Sequence, residues 1–188
     1  VQKNMVITQG FIGRGPLNET TTLGREGSDY SAAIFAYSMN AEAVTIWKDV
    51  AGVMNGDPKK LSNAQLLPEL NYNDTIELAY YGASVIHPKT IQPLKAKSIP
   101  LFVKSFLNPE DSGTVVNATA ATPEIPCYIH KSNQVMINLS TRDYTFIVED
   151  NLREIFRIFA EDKVKCNIIQ NSAISFSVAA DGNRKRID

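Results

Sequence analysis

The sequence predicts an α/β protein: an open, mainly parallel sheet flanked by helices, followed by an incomplete ferredoxin-like α+β unit. Three observations carry this. Short apolar runs alternate with helical segments over residues 1–106, the pattern of helices layered on a largely parallel sheet. Residues 107–126 lose that alternation and become rich in Pro, Thr, Ala and Asn, which reads as a linker. From Gln134 the order turns to strand, helix, strand, strand, the opening of a βαββαβ unit, so the third segment is 127–188.

Met5–Ile7 reads as a short buried strand entering a glycine-containing loop from Gly10 to Asn18. After the turn Gly24-Arg25-Glu26-Gly27, Ser28 and Asp29 are helix-capping types, and the Ala-rich stretch Tyr30–Met39 follows as a helix. Ala43–Trp47 is the next apolar strand, and Asn55-Gly56 and Asp57-Pro58 mark turns in the loop behind it. Asp74–Tyr81 is a helix stopped by Gly82, with Tyr80 and Tyr81 expected in the core. Pro88 opens a short helix to about Ala96, with His87 as its entry residue, and Ile99–Val103 is a strand. Further on, Gln134–Leu139 is a strand. Leu152, Ile155, Phe156 and Phe159 recur at helical spacing on one face, and Cys166–Gln170 and Ile174–Val178 are strands.

Composition narrows the function classes. Of 188 residues, 44% are hydrophobic and 21% charged, ordinary for a globular protein, and a net charge of -1 offers no field for nucleic acid or an anionic membrane. No apolar run approaches the ~20 residues of a membrane helix. Cys127 and Cys166 lie in no CxxC pattern and His87 and His130 in no metal-ligand spacing, so two free thiols and no resident metal are expected. The GxxxxGK[ST] and GxGxxG phosphate motifs are both missing.

Three segments carry candidate chemistry. In TTTLGREGSDYSAA, two glycines permit close backbone approach, Arg25 offers a fork that matches a carboxylate, and Ser28 and Asp29 place a hydroxyl and an anion at a helix start. Together they can recognise an amino acid by both of its charges; an ordinary helix cap with a surface arginine is the plainer alternative. In IWKDVAGVMNGDPKKL, a loop leaves the carboxyl end of a strand, where open α/β sheets bind ligands, although taken alone a surface loop with turn residues is the better account. The third segment, ELAYYGASVIHPKTIQPL, completes the set.

Taken in order, the strings LGREGSDYSAA, IW-x-DV-x-GV with DP after it, ELAYYGA-x-VIHPKTI and IP-x-x-VKSF resemble the aspartate kinases of the amino acid kinase family, from about Gln9 to Thr114 and more loosely to Asp181. The resemblance implies ATP- and Mg²⁺-dependent phosphorylation of the β-carboxylate of L-aspartate, the entry to lysine, threonine and methionine synthesis, in a cytoplasmic homodimer. It implies Phe11, Arg25, Ser28 and Asp29 as substrate-binding residues, with Asp29 catalytic, and Lys48, Asp49, Met54, Asp57, Lys59 and Ser84 at the ATP site. Residues 127–188 resemble the start of an ACT regulatory domain, with Asn167, Gln170, Asn171 and Ser172 on the strand that contacts a feedback amino acid, lysine or threonine.

The sequence departs from the family pattern at four places. The family's Lys-Phe-Gly-Gly segment does not occur in these residues, so the chain by itself is expected to be inactive. Ser84 stands where many members have a lysine, Lys48 where a threonine is usual, and Ala173 where lysine-sensitive members often carry an acid. Lys48 is expected to restore part of the positive charge missing at Ser84. The competing readings are a kinase for glutamate or a nucleoside monophosphate, which LGREGSD disfavours, and a non-catalytic amino-acid-sensing and dimerisation module.

Overall fold

A computed structural model describes residues 5–83 and 85–182. The chain divides into two units, one ending at His130 and the other beginning at Lys131.

The first unit opens with a small antiparallel hairpin, β1 (Ile12–Arg14) and β2 (Thr20–Thr22). The sequence pattern places the first strand at Met5–Ile7 instead. Those side chains are more than four-fifths exposed and the segment is not in a strand. Apolar character alone does not make a strand, whose backbone groups need partners. Helix α1 (Gly27–Met39) follows, then β3 (Val44–Lys48), β4 (Glu69–Asn71), α2 (Tyr72–Tyr81), α3 (Pro88–Ala96), β5 (Leu101–Ser105) and β6 (Thr114–Asn117). The sheet order is β3-β5-β6-β4: β3–β5 and β4–β6 are parallel and β5–β6 antiparallel, so the sheet is mixed with parallel pairing dominant.

Strand β6 lies within the segment that reads as a linker. Thr-Val-Val-Asn is too short to show a period, yet Thr114 and Val116 are fully buried between β5 and β4. Ile125 and Cys127 also pack on this core. The first unit therefore runs past residue 126. Its core joins Ala33 and Ala36 of α1 to Ile46, Leu70, Ile91, Leu94, Leu101 and Val103. The alanines leave room for the helix to sit close to its neighbours.

Local chemistry explains the helix ends. Asn71 accepts from the Asp74 amide at 2.8 Å to cap α2, and Gly82 stops it at φ 131°. His87 accepts from the Lys89 amide at 3.1 Å ahead of Pro88, the entry role expected of it. Tyr80 and Tyr81, expected in the core, are instead exposed and meet edge to face with centroids 5.2 Å apart.

The second unit is a three-stranded antiparallel sheet of order β7-β9-β8, from β7 (Gln134–Ser140), α4 (Glu149–Glu161), β8 (Cys166–Asn171) and β9 (Ser175–Asp181). Helix α4 covers one face, with Phe156 edge-on to buried Phe176 at 5.7 Å. A polar cluster closes one end: Lys131 pairs with Asp181 at 2.7 Å, and Asn167 and Gln134 donate to the same carboxylate oxygen at 2.8 and 3.0 Å. These donors, Lys131 first, hold the Asp181 carboxyl well below the usual carboxylate range. No helix among the described residues is long and apolar enough to cross a membrane.

Candidate functional site

The start of α1 is built by an unusual turn. Gly24 and Glu26 both have positive φ (78° and 54°), and the Gly27 amide donates to the Gly24 carbonyl at 3.0 Å. Glu26, not Ser28 or Asp29, is the helix N-cap, and its side chain makes no cap bond. Ser28 and Asp29 therefore sit inside the first turn, near the positive end of the helix dipole. The turn is backed by the loop before β1. Phe11, itself at φ 73°, donates its amide to the buried Ser31 hydroxyl at 2.9 Å, and Ser31 donates on to the Gly27 carbonyl at 2.9 Å. A Cβ on Gly27 would come within 2.8 Å of the Phe11 ring, so glycine is what lets Phe11 lie against the helix start. Phe11, Arg25, Ser28 and Asp29 are thus gathered at one place, with Arg25 and Ser28 exposed.

Asp29 has a definite partner. Lys48, the last residue of β3, reaches its Oδ2 at 2.6 Å, and both side chains are largely buried. The Lys48 carbonyl accepts from the Phe106 amide at 2.9 Å, which fixes the strand end carrying it.

Directly after Lys48, the loop Asp49–Lys59 walls a cavity of about 520 Å³, within the range of small-molecule and cofactor sites. Asp49, Met54, Asp57 and Lys59 line it, as do Ala83 and Val85; Ser84 lies outside the described residues. Asp57 is partly occupied as a turn residue, because its Oδ1 accepts from the Lys59 amide at 2.9 Å.

Sequence reasoning missed the residues that hold this loop. Buried Thr114 accepts from the Val53 amide at 2.9 Å and donates to the Leu67 carbonyl at 2.7 Å. Buried Asn55 accepts from the Gln65 amide at 2.7 Å and donates to the Pro126 carbonyl at 3.1 Å, while its own carbonyl accepts from the Tyr128 amide at 2.6 Å. Tyr128, Ile129 and His130 form a further wall of the cavity, and Lys60 lies 2.9 Å from the His130 ring. Asn55-Gly56 reads as a turn in the sequence but instead lies as a bend between the Met54–Leu66 and Gly56–Tyr128 bridges, and nothing local marks Tyr128, far along the chain, as its partner. Asn55→Ala is expected to cost about 1–3 kcal/mol, since it orphans the Gln65 amide. Thermal melts report that loss.

In the second unit the proposed effector residues divide. The Asn167 side chain is engaged by Lys131 at 2.7 Å, Asp181 and Gln134. Ser172 bonds Ser175, whereas Gln170 and Asn171 are exposed on β8. No cluster of three or more His, Cys, Asp or Glu able to cage a metal occurs among the described residues.

Comparison with known proteins places the chain in a family. The family model for the amino acid kinase family matches residues 1–105, more than half of the chain, which belongs to that family. Lysine-sensitive aspartokinase 3 of Escherichia coli is 36% identical over 182 residues, covering 96% of this chain and 40% of the relative. Chloroplastic aspartokinase 1 of Arabidopsis thaliana is 32% identical over 181 residues, covering 95% of this chain and 32% of the relative. Among solved structures, E. coli aspartokinase III in complex with aspartate and ADP superposes with a TM-score of 0.76 at 37% identity, over 94% of this chain and 40% of that one. The chain thus spans about 40% of the length of these E. coli relatives.

Proposed function

We propose that this chain forms the amino-acid- and nucleotide-binding part of an aspartate kinase, which transfers the γ-phosphoryl group of ATP to the β-carboxylate of L-aspartate. The observation that carries this reading is the Asp29–Lys48 pair, which ties the helix start bearing Arg25 and Ser28 to the loop walling a nucleotide-sized cavity. The E. coli relative of similar fold was solved with aspartate and ADP together.

In this assignment Arg25 holds a substrate carboxylate and Asp29 the α-ammonium, with Phe11 flanking them. Asp49, Met54, Asp57 and Lys59, and Ser84 by resemblance, face the nucleotide. Transfer forms a P–O bond to the carboxylate and breaks the one to ADP. The nucleophile is a carboxylate, with an ordinary pKa of ~3.9, and is already ionised at neutral pH, so no base is required. What remains is alignment of two anions and neutralisation of the transferring group. Mg²⁺ would arrive on the nucleotide phosphates, where Asp49 on the cavity wall could help to hold it, and it would supply charge neutralisation of the transferring group.

The second unit is proposed as the opening of an ACT-type regulatory domain that binds a feedback amino acid, lysine or threonine, and joins two chains. Its strand order and exposed Gln170 and Asn171 support this.

The test is ADP release from Mg-ATP by the intact protein with aspartate or glutamate as acceptor. Aspartate-dependent turnover, with glutamate inactive, is expected. Preference for glutamate or a nucleoside monophosphate would overturn the substrate assignment, and no turnover with any of them would favour a sensing module.

A further inference from the structure

Asp29 and Lys48 come from different elements, α1 and β3, and from different proposed subsites, yet they form one ion pair. The contact uses a single carboxylate oxygen, Oδ2, and a single bond from the ammonium. A carboxylate has about four lone-pair positions and a lysine ammonium three donors, so each partner keeps capacity for a second, oppositely charged group. On Asp29 that group is a cation such as an α-ammonium. On Lys48, which immediately precedes the cavity loop, it is an anion such as a phosphate oxygen.

We infer that the Asp29–Lys48 pair couples the two substrates: an anionic nucleotide on Lys48 strengthens the hold of Asp29 on the amino acid, and the reverse. This rests on the proposed function and deepens it. In the free protein, Lys48 neutralises Asp29 at 2.6 Å and so weakens its attraction for an incoming ammonium. When phosphate oxygens draw off the charge of Lys48, that neutralisation is relieved and Asp29 attracts the ammonium more strongly. The largely buried setting makes the effect greater than it would be at a solvated surface. By linkage, aspartate must tighten nucleotide binding by the same factor. The bound order is then ammonium, carboxylate, lysine, phosphate, with alternating charges along one line of contacts.

Removing Lys48 has effects of opposite sign, which a merely structural role does not produce. In Lys48→Met, Asp29 is no longer neutralised, so binding of aspartate alone is kept or improved, while ADP binds more weakly and kcat falls. Lys48→Arg keeps the charge and retains the coupling in part.

The experiment is calorimetric titration of aspartate into the intact protein with and without saturating Mg-ADP, a non-reacting pair. Wild type is expected to bind aspartate at least about five-fold more tightly with ADP present. In Lys48→Met the two affinities are expected to coincide, with a lowered Tm that still leaves the protein folded at the titration temperature, and in Lys48→Arg a difference returns. Equal aspartate affinities with and without ADP in wild type overturn the coupling, as does a Lys48→Met protein that retains the full difference. Wild type that binds ADP but no aspartate would contradict the substrate assignment, a distinct outcome.

Discussion

Asp29→Asn is expected to lower kcat/KM for aspartate by about 10–10²-fold in the intact enzyme, with a lowered Tm but the same fold. The substitution is nearly isosteric, so the first turn of α1 keeps its packing. What is lost is charge. The substrate ammonium loses an ionic hydrogen bond worth about 1.5–3 kcal/mol. Lys48 loses the anion that holds it at 2.6 Å and becomes a largely buried cation without its partner. Breaking such a pair costs about 3–5 kcal/mol when fully buried, and less here because both side chains keep some exposure. The first loss is felt at the transition state and gives the stated range, whereas the second is present in the free enzyme and falls on stability. Steady-state kinetics with aspartate varied at saturating Mg-ATP, alongside a thermal melt, measure it. A variant with wild-type Tm and kcat/KM within about five-fold of wild type would remove Asp29 from the site.

Gly113→Ala is expected to unfold or severely weaken the first unit. Gly113 has φ 70°, where any Cβ is strained, and a Cβ there would lie 2.1 Å from the Val103 carbonyl oxygen. That oxygen belongs to the backbone of β5, so relief requires the β5–β6 pairing to open at Val103–Thr114. Left-handed strain and overpacking each contribute about 1–3 kcal/mol, a large share of a domain's stability. The expected drop in Tm exceeds about 10 °C. The function would suffer with the fold, because the next residue, Thr114, anchors the cavity loop through Val53. Gly24→Ala is the control: it has positive φ too, but a Cβ there meets nothing within 4 Å. Its loss should be confined to backbone strain of about 1 kcal/mol.

How much of this was legible in the sequence depended on whether the cause was local. The α3 boundaries were, because Pro88 and His87 fix the helix entry through bonds two residues apart. So was α2, stopped by Gly82, and so was α4, whose apolar face repeats at helical spacing. Strand β6 was not, since four residues carry no period and their burial is decided by β5 and β4 on either side. Met5–Ile7 failed for the converse reason: apolar residues promised burial, which only a neighbouring element can supply. Arg25, Ser28 and Asp29 were legible as a cluster of candidate groups because they fall within one turn. Their cap was not, because Glu26 in a left-handed conformation breaks the usual preference for Ser or Asp. The pairing of Asp29 with Lys48, and of Asn55 with Pro126 and Tyr128, spans distant parts of the chain and became visible only in three dimensions.

The most direct test of the proposed site is a crystal structure of the intact protein with L-aspartate and Mg-ADP bound. The assignment requires a substrate carboxylate on Arg25, its ammonium on Asp29, and the nucleotide in the cavity between the Asp49–Lys59 loop and Tyr128–His130, its phosphates directed toward Lys48. A nucleotide bound elsewhere, or an aspartate that touches neither Arg25 nor Asp29, would contradict it.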